Sequence, residues 1–452
     1  MRIMIAGTGS GSGKTTVACA LLAAIKRQGK QVVSFKCGPD YIDTTFHRKA
    51  TEVDSINLDS YLMGEAGVLE SLSFHSKGCE IAVVEGVMGL YDGIGKGSEN
   101  SSNDLSLLTN TPVVLVVDTK GKGLSICAEI QGFLDFERNN IVSVILNRTK
   151  KAIYPFYKEM IETRTGIKIL GFLPDLPEAT FESRHLGLVT ADGISDAQNK
   201  IARLGDAATE SIDFDALYGV AAEAGPIDSS RNTPSIRKPT SHACRIYVAY
   251  DEAFCFYYPD NHRILEDCGA ELKFLSPLRS PEVPNDADGL LVWGGYPELH
   301  AARLAGNESF KRSVRNLHAR GMPIYAECGG FMYMQERLTD REGNEHPMLG
   351  IVEGTVSMTT RLRKFGYVEL TARKDNMLCN KGEKIKAHSF HYSQSSHEGD
   401  AFTATRAGKV ETYPCITATE TLFTGYPHLH FTGNGRFAAN FVNACMKYRE
   451  SK

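Results

Sequence analysis

The segment Gly7-Thr8-Gly9-Ser10-Gly11-Ser12-Gly13-Lys14-Thr15-Thr16 lies between a short apolar run, Arg2 to Ala6, and a helical pattern, Thr15 to Gln28. A strand, a glycine loop, Lys-Thr and a helix in that order restrict the fold more than any other feature of the chain. Glycines let the backbone curl so that successive N–H groups face phosphate oxygens, Lys14 meets the β/γ oxygens, and Thr15 holds Mg²⁺. The helix that follows adds the partial positive charge of its N-terminus. Gly9, Ser10, Gly11, Ser12, Gly13, Lys14, Thr15 and Thr16 therefore form the expected cradle for ATP or another nucleotide.

Four further apolar runs, Gln31 to Phe35, Ile81 to Val84, Val113 to Val117 and Ile141 to Leu146, alternate with helical patterns such as Leu124 to Phe136. That rhythm predicts a parallel sheet covered by helices, with ligands at the carboxyl edge of its strands. Glu85 ends one of these strands, where an acidic residue can hold Mg²⁺ directly or through water. Lys36-Cys37-Gly38-Pro39-Asp40-Tyr41-Ile42-Asp43 brings two carboxylates and a rigid turn to a second strand end; a helix-capping role for the aspartates is the plainer reading. In Glu85-Gly86-Val87-Met88-Gly89-Leu90-Tyr91-Asp92-Gly93 the glycines permit close approach of backbone to a ligand. The metal set expected from these segments is Thr15, Glu85 and Asp43.

Residues 221–243, AAEAGPIDSSRNTPSIRKPTSHA, lack apolar periodicity and read as a linker between a domain at 1–220 and another at 244–452. Beyond it Arg245 to Ala249, Leu272 to Leu275, Gly289 to Trp293 and Pro323 to Ala326 begin a second αβ alternation. The fold class expected is α/β, as two three-layer αβα domains. With 50 Lys+Arg against 54 Asp+Glu, the net charge of −4 offers no basic footprint for nucleic acid. No apolar run is long enough to cross a membrane, and the 11 cysteines, an odd number without a CxxC pair, suit reduced thiols in a cytoplasm.

In the second half, Pro323 to Ala326 lead into Glu327-Cys328-Gly329-Gly330-Phe331 and a helical run. A thiol on such a strand-to-helix turn is exposed to substrate and sits where a helix N-terminus favours its thiolate. Gly329, with Gly294 and Gly295 of the loop Gly294-Gly295-Tyr296-Pro297-Glu298, would supply oxyanion donors. Neither His428-x-His430 nor His388-xx-His391 has the spacing of a standard zinc motif.

The first half resembles the cobyrinic acid a,c-diamide synthases, ATP- and glutamine-dependent amidases of corrinoid biosynthesis. The resemblance rests on GTGSGSGKTT at 7–16, KCGPDYID at 36–43, NLDSYLM at 57–63, VEGVMGLYDG at 84–93, ILNR at 145–148 and RHLGL at 184–188. The strict phosphate-loop pattern has Gly at position 8, where Thr8 stands; a glycine one place earlier is similar to dethiobiotin-synthetase-like members of the P-loop class. The resemblance implies that Asp40, Ile42, Glu85 and Asp92 lie where nucleotide, metal and tetrapyrrole substrate meet, and that Asn147 reads adenine. The second half resembles class I glutamine amidotransferases, which implies Cys328 as nucleophile and, from Tyr426-Pro427-His428, His428 as its base. The broader class has Glu two residues beyond that His; this chain has His430, which leaves the orienting partner open and predicts a weaker base than a full triad. The segment His388-Ser389-Phe390-His391-Tyr392 is assigned structure or substrate contact.

The activity so implied is amidation of the a and c acetate groups of cobyrinic acid through acyl phosphates, with ammonia from glutamine carried by an internal route. Hydrogenobyrinic acid or nickel sirohydrochlorin as substrate, and a regulatory P-loop ATPase with a degenerate amidotransferase domain, stand as alternatives. The partners expected are ATP, L-glutamine and a tetrapyrrole polycarboxylate, with neither nucleic acid nor membrane. A homodimer is compatible with the sequence, which does not fix the oligomeric state.

Overall fold

The computed structural model describes residues 1–179, 191–227 and 243–452, and the chain forms two compact units, Met1–Thr233 and Pro234–Lys452. The motif at 184–188 and most of the expected linker lie outside the described residues. Ala221 and Ala222 end the helix Phe214–Ala222, and Ala221 is fully buried in the core of the first unit.

In the first unit seven strands, β1 (Arg2–Gly7), β2 (Val32–Cys37), β3 (Ser55–Leu58), β4 (Ile81–Glu85), β5 (Val113–Asp118), β6 (Ile141–Asn147) and β7 (Lys168–Phe172), form one sheet in the order β3-β2-β4-β1-β5-β6-β7. All six pairings are parallel. Helices cover both faces of such a sheet, so its strands must be apolar throughout, and every residue of β1 and β4 is buried. The helix Lys14–Arg27 buries Val17, Leu21, Leu22 and Ile25 against Ile3, Ile5, Val83, Val114 and Val116. β1 lies between β4 and β5, so the loops after β1 and β4 meet at the carboxyl edge of the sheet.

The second unit contains two sheets. β8 (Cys244–Ala249), β9 (Ala270–Leu275), β10 (Gly289–Val292) and β11 (Ile324–Glu327) are followed in sequence by β12 (Arg337–Thr339), β13 (Glu345–Pro347), β14 (Thr355–Ala372), β15 (Lys384–Ser395), β16 (Phe402–Arg406), β17 (Thr412–Cys415), β18 (Thr417–Ala418), β19 (Leu422–Gly425) and β20 (His428–Leu429). The first sheet, β18-β19-β11-β10-β8-β9, is parallel except for β18. The other runs β13-β12-β14-β15-β20, with β16 on β14 and β17 on β16, and is antiparallel apart from β12 on β14. This second sheet was not anticipated. Its long hairpin β14–β15 keeps one face exposed and carries Arg361, Arg363, Lys364, Lys384 and Lys386, so it offers no continuous apolar run. Trp293 and Tyr325 of the parallel sheet share a core with Leu370, Ala387 and Phe402 of the other, and Tyr325 stacks on Phe423 at 5.1 Å. All 11 cysteines are free thiols. Among the described residues no helix is long and apolar enough to cross a membrane.

Candidate functional site

Loop 7–13 turns back over the end of β1 so tightly that a Cβ on Gly7 would stand 2.1 Å from Ser12 Oγ, which explains why the first glycine falls at this position. Gly13 has φ +92°, and a Cβ there would lie 1.9 Å from the Asn147 side-chain nitrogen. Asn147 Nδ2 donates to the Ser12 carbonyl at 3.0 Å and so braces the loop from β6. Ser10 and Gly11 are exposed at the tip, whereas Ser12 and Lys14 are buried and Thr15 and Thr16 half-buried. Lys14 Nζ donates to the Gly9 carbonyl at 3.3 Å; burial, and then the neighbouring Lys36, lower its pKa.

Beneath the loop lies a charged network that β2, β4 and the helix Tyr41–Thr51 bring together. Thr15 Oγ1 donates to Glu85 Oε1 at 2.6 Å, and Lys36 Nζ reaches the same oxygen at 2.7 Å and Asp43 Oδ2 at 2.8 Å. His47 Nε2 lies 3.2 Å from Glu85 Oε2. Burial opposes charge on Lys36, yet Asp43 and Glu85 outweigh it and raise its pKa. For Asp43, burial would raise the pKa, but Lys36 and then His47 pull it below the ordinary value. A threonine hydroxyl beside a buried carboxylate, with the buried Ser12 hydroxyl lacking a hydrogen-bond partner, supplies the hard oxygen donors that suit Mg²⁺ on a phosphate. Among the described residues no cluster of three or more His, Cys, Asp or Glu could hold a metal ion.

The two acidic turns pack against this network. Asp40 Oδ1 accepts from Asp43 N at 3.2 Å, the capping role weighed for it, and Asn57 Nδ2 fixes the turn through the Gly38 and Asp40 carbonyls at 2.9 and 3.0 Å. Asp92 Oδ2 accepts from Gly89 N at 2.7 Å, and Leu90 N donates to the Gly7 carbonyl at 2.9 Å, tying this loop to the end of β1. Ile42 lies in the helix after Asp40, and its side chain is outside the described residues.

In the second unit Cys328 joins β11 to the helix Gly329–Met334 with φ +49°, a strained conformation for a residue with a Cβ; the residue is buried rather than exposed as expected, and its Sγ lies 3.8 Å from the Phe390 carbonyl oxygen. Its N–H is held by the Gly425 carbonyl at 2.8 Å. Three expected oxyanion residues crowd this turn. A Cβ on Gly329 would stand 2.8 Å from Gly295 N, one on Gly295 would stand 2.0 Å from the Ala253 carbonyl oxygen, and one on Gly294 would stand 2.7 Å from His428 Cε1. His428 arrives from the other sheet, where β20 pairs with β15 and sets His428 opposite His388. Burial would lower the pKa of His428, but charge interaction and a hydrogen bond with Cys328, followed by those with Glu327, push it up to about 10. A thiol beside such a histidine transfers its proton readily and becomes a nucleophile.

A family model for the CobQ/CobB/MinD/ParA nucleotide binding domain matches residues 3–188, and one for the CobB/CobQ-like glutamine amidotransferase domain matches residues 245–436. A cobyrinate a,c-diamide synthase of Listeria monocytogenes serotype 4b is 39% identical over 442 residues, covering 96% of this chain and 97% of that protein. One from Priestia megaterium is 38% identical over 459 residues, covering 100% and 98%. One from Thermoplasma volcanium is 36% identical over 455 residues, covering 100% and 98%. The chain belongs to the cobyrinate a,c-diamide synthase family.

Membership gives this family member an ATP-dependent nucleotide-binding domain and a glutamine amidotransferase domain in one chain. Three residues absent from the sequence-derived sites stand within them, two in the first unit and one in the second. Lys36 and His47 both touch Glu85, and Glu327 Oε2 lies 3.4 Å from His428 Nδ1. Their signal was present but weak: Lys36 is the one charge in the strand Val32–Cys37, and Glu327 is a charge at the end of a fully buried one. Three other buried histidines of this unit are held neutral. Burial lowers His388 to about 3, with His428 adding to the effect, and lowers His391 and His430 to about 4. His391 stacks on Tyr426 with ring centroids 3.7 Å apart, and Ser393 Oγ donates to the Tyr426 hydroxyl at 3.0 Å.

Proposed function

We propose that the chain amidates the a and c acetate carboxylates of cobyrinic acid in cobalamin biosynthesis, using two ATP and two glutamine. A carboxylate resists ammonia because its leaving group would be an oxide; phosphoryl transfer from ATP converts it to an acyl phosphate with a good leaving group. In this reading the loop amides and Lys14 neutralise charge on the transferring group. Mg²⁺ held by Thr15 and Glu85, with Asp43 nearby, would supply Lewis-acid charge stabilisation. Asn147 reads adenine through its remaining carbonyl oxygen, and Asp40, Ile42 and Asp92 lie on the substrate side of the cradle.

At the second centre Cys328 attacks the carboxamide of glutamine, while Gly294, Gly295 and Gly329 N–H groups stabilise the oxyanion. Ammonia leaves with a proton from His428, and water then hydrolyses the thioester to glutamate. The ammonia displaces phosphate from the acyl phosphate and gives the amide. The observation that carries this reading is that one chain holds both an ATP-type phosphate cradle and a thiol–imidazole pair on a glycine-lined turn.

The test is mass spectrometry after incubation with ATP, Mg²⁺, glutamine and a panel of cobyrinic acid, hydrogenobyrinic acid and nickel sirohydrochlorin. Two successive acid-to-amide mass changes on cobyrinic acid are expected. Glutamine hydrolysis with every tetrapyrrole acid unchanged would overturn the reading.

A further inference from the structure

The residue two positions beyond His428 does not supply the orienting charge. His430 is buried, its ring packs on Tyr258 at 4.7 Å, and burial keeps it neutral. A carboxylate reaches the base from another direction. Glu327, the last residue of β11, is 1% exposed and lies one residue before the nucleophile. Its Oε1 accepts from Leu429 N at 2.8 Å and from the Tyr325 hydroxyl, whose ring lies two residues earlier on the same face of β11. Those two bonds fix the carboxylate so that Oε2 faces His428 Nδ1 at 3.4 Å.

We infer that Glu327 is the orienting member of a rearranged Cys-His-Glu triad, contributed by the residue preceding the nucleophile rather than by one following the base. The inference rests on the glutaminase reading above and goes beyond it by assigning a positioning residue. With a carboxylate at Nδ1, that nitrogen carries the proton and Nε2 is free to take the proton of the thiol. The S–H bond breaks, an Nε2–H bond forms, and the imidazolium is paired with Glu327. The thiolate then bonds to the carboxamide carbon, and the C–N bond breaks as Nε2–H gives its proton to the departing ammonia. Because Leu429 N bonds to the same carboxylate, Glu327 also anchors the strand that carries His428.

The experiment compares Glu327→Gln and Tyr325→Phe with the wild-type full chain, measuring glutamate release, ammonium-driven synthesis and the pH dependence of Cys328 alkylation by iodoacetamide, read by peptide mass spectrometry. In Glu327→Gln the amide NH₂ turned toward Nδ1 selects the wrong tautomer. A fall in glutaminase kcat of about 10²- to 10⁴-fold is expected, with KM for glutamine little changed, ammonium-driven synthesis retained and the alkylation midpoint moved to higher pH. Tyr325→Phe, which leaves the Leu429 anchor, should show a smaller shift in the same direction and keeps the inference testable if the Gln variant does not fold. A purely structural role would lower thermal stability without moving the alkylation midpoint. An unmoved midpoint in both variants, or a Gln variant within about threefold of wild-type kcat, overturns the inference while leaving glutaminase activity in place. A wild-type chain that releases no glutamate overturns the glutaminase reading itself.

Discussion

Lys36→Met tests the charge network beneath the phosphate loop most directly. Lys36 is 5% exposed, and its ammonium lies 2.7 Å from Glu85 Oε1 and 2.8 Å from Asp43 Oδ2. Methionine keeps most of the stem volume but leaves two carboxylates buried near one another without that cation. Removing one partner of a buried ion pair costs about 3–5 kcal/mol, and for a unit of this size each kcal/mol lowers Tm by about 2–4 °C. The expected drop is therefore about 6–20 °C at pH 7.5 in the transition of the first unit, measured by calorimetry. The pH dependence follows from the direction of each shift. In the wild type the pKa of Asp43 is depressed, so its contribution is present above the unfolded carboxylate value and is lost as pH falls. The raised pKa of Lys36 keeps its contribution intact at every pH below the ordinary lysine value. In the variant Asp43 loses the cation that holds its pKa down, so that carboxylate is least costly when protonated and the deficit narrows toward pH 4. A transition within about 2 °C of wild type at pH 7.5, or a deficit that widens in acid, would refute the assignment of Lys36 as the neutralising cation.

The two chemistries should also separate by mutation. Cys328→Ala should lose glutamine-dependent synthesis yet make product with ammonium salts, and Lys14→Ala should lose synthesis with either nitrogen source while retaining some glutaminase; failure of the ammonium rescue would contradict this division. Gly295→Ala places a Cβ 2.0 Å from the Ala253 carbonyl oxygen, so the loop must shift. Loss of one oxyanion donor predicts a glutaminase kcat lower by about 10²- to 10³-fold, with ammonium-driven synthesis retained, and an unchanged kcat in steady-state glutaminase assays would remove Gly295 from that role.

The parallel strands were legible because burial on both faces demands runs such as Val113–Asp118, and their observed ends differ from expectation by a residue or two. The cradle was legible because its glycines, Lys14 and Thr15 are adjacent in sequence. β14 and β15 were not, since a sheet with one wet face carries Arg363 and Lys364 beside Val368 and Leu370 and shows no apolar run. Long-range partnership was the harder part. Glu327 and His428 are 101 residues apart in the chain, and contacts distant in sequence bring them together: the seat of Leu429 N on Glu327, the Asn261 amide on Leu429, and the short pairing of β20 with β15. A reading confined to neighbours of His428 in sequence could find His430 but not the carboxylate.

This origin of the base has a mechanical consequence. The nucleophile belongs to the parallel sheet and its histidine to the antiparallel one, so the geometry of the pair is the geometry of the joint between sheets. Leu429 is fastened from two sides: its N–H donates to Glu327 at the end of β11, and Asn261 Nδ2, from the helix Pro259–Asp267, donates to its carbonyl at 2.8 Å. Asn261 Oδ1 also accepts from Phe431 N at 2.8 Å, so one fully buried amide clamps both ends of the segment that follows His428. β20 itself is only two residues long and makes few ladder bonds, which is too little to hold a catalytic histidine in register. The side chains of Glu327 and Asn261 therefore do what strand pairing does not, and the same carboxylate that orients the imidazole also fixes the backbone beneath it. Coupling the two roles in one residue means that the charge and the position of the base cannot drift independently.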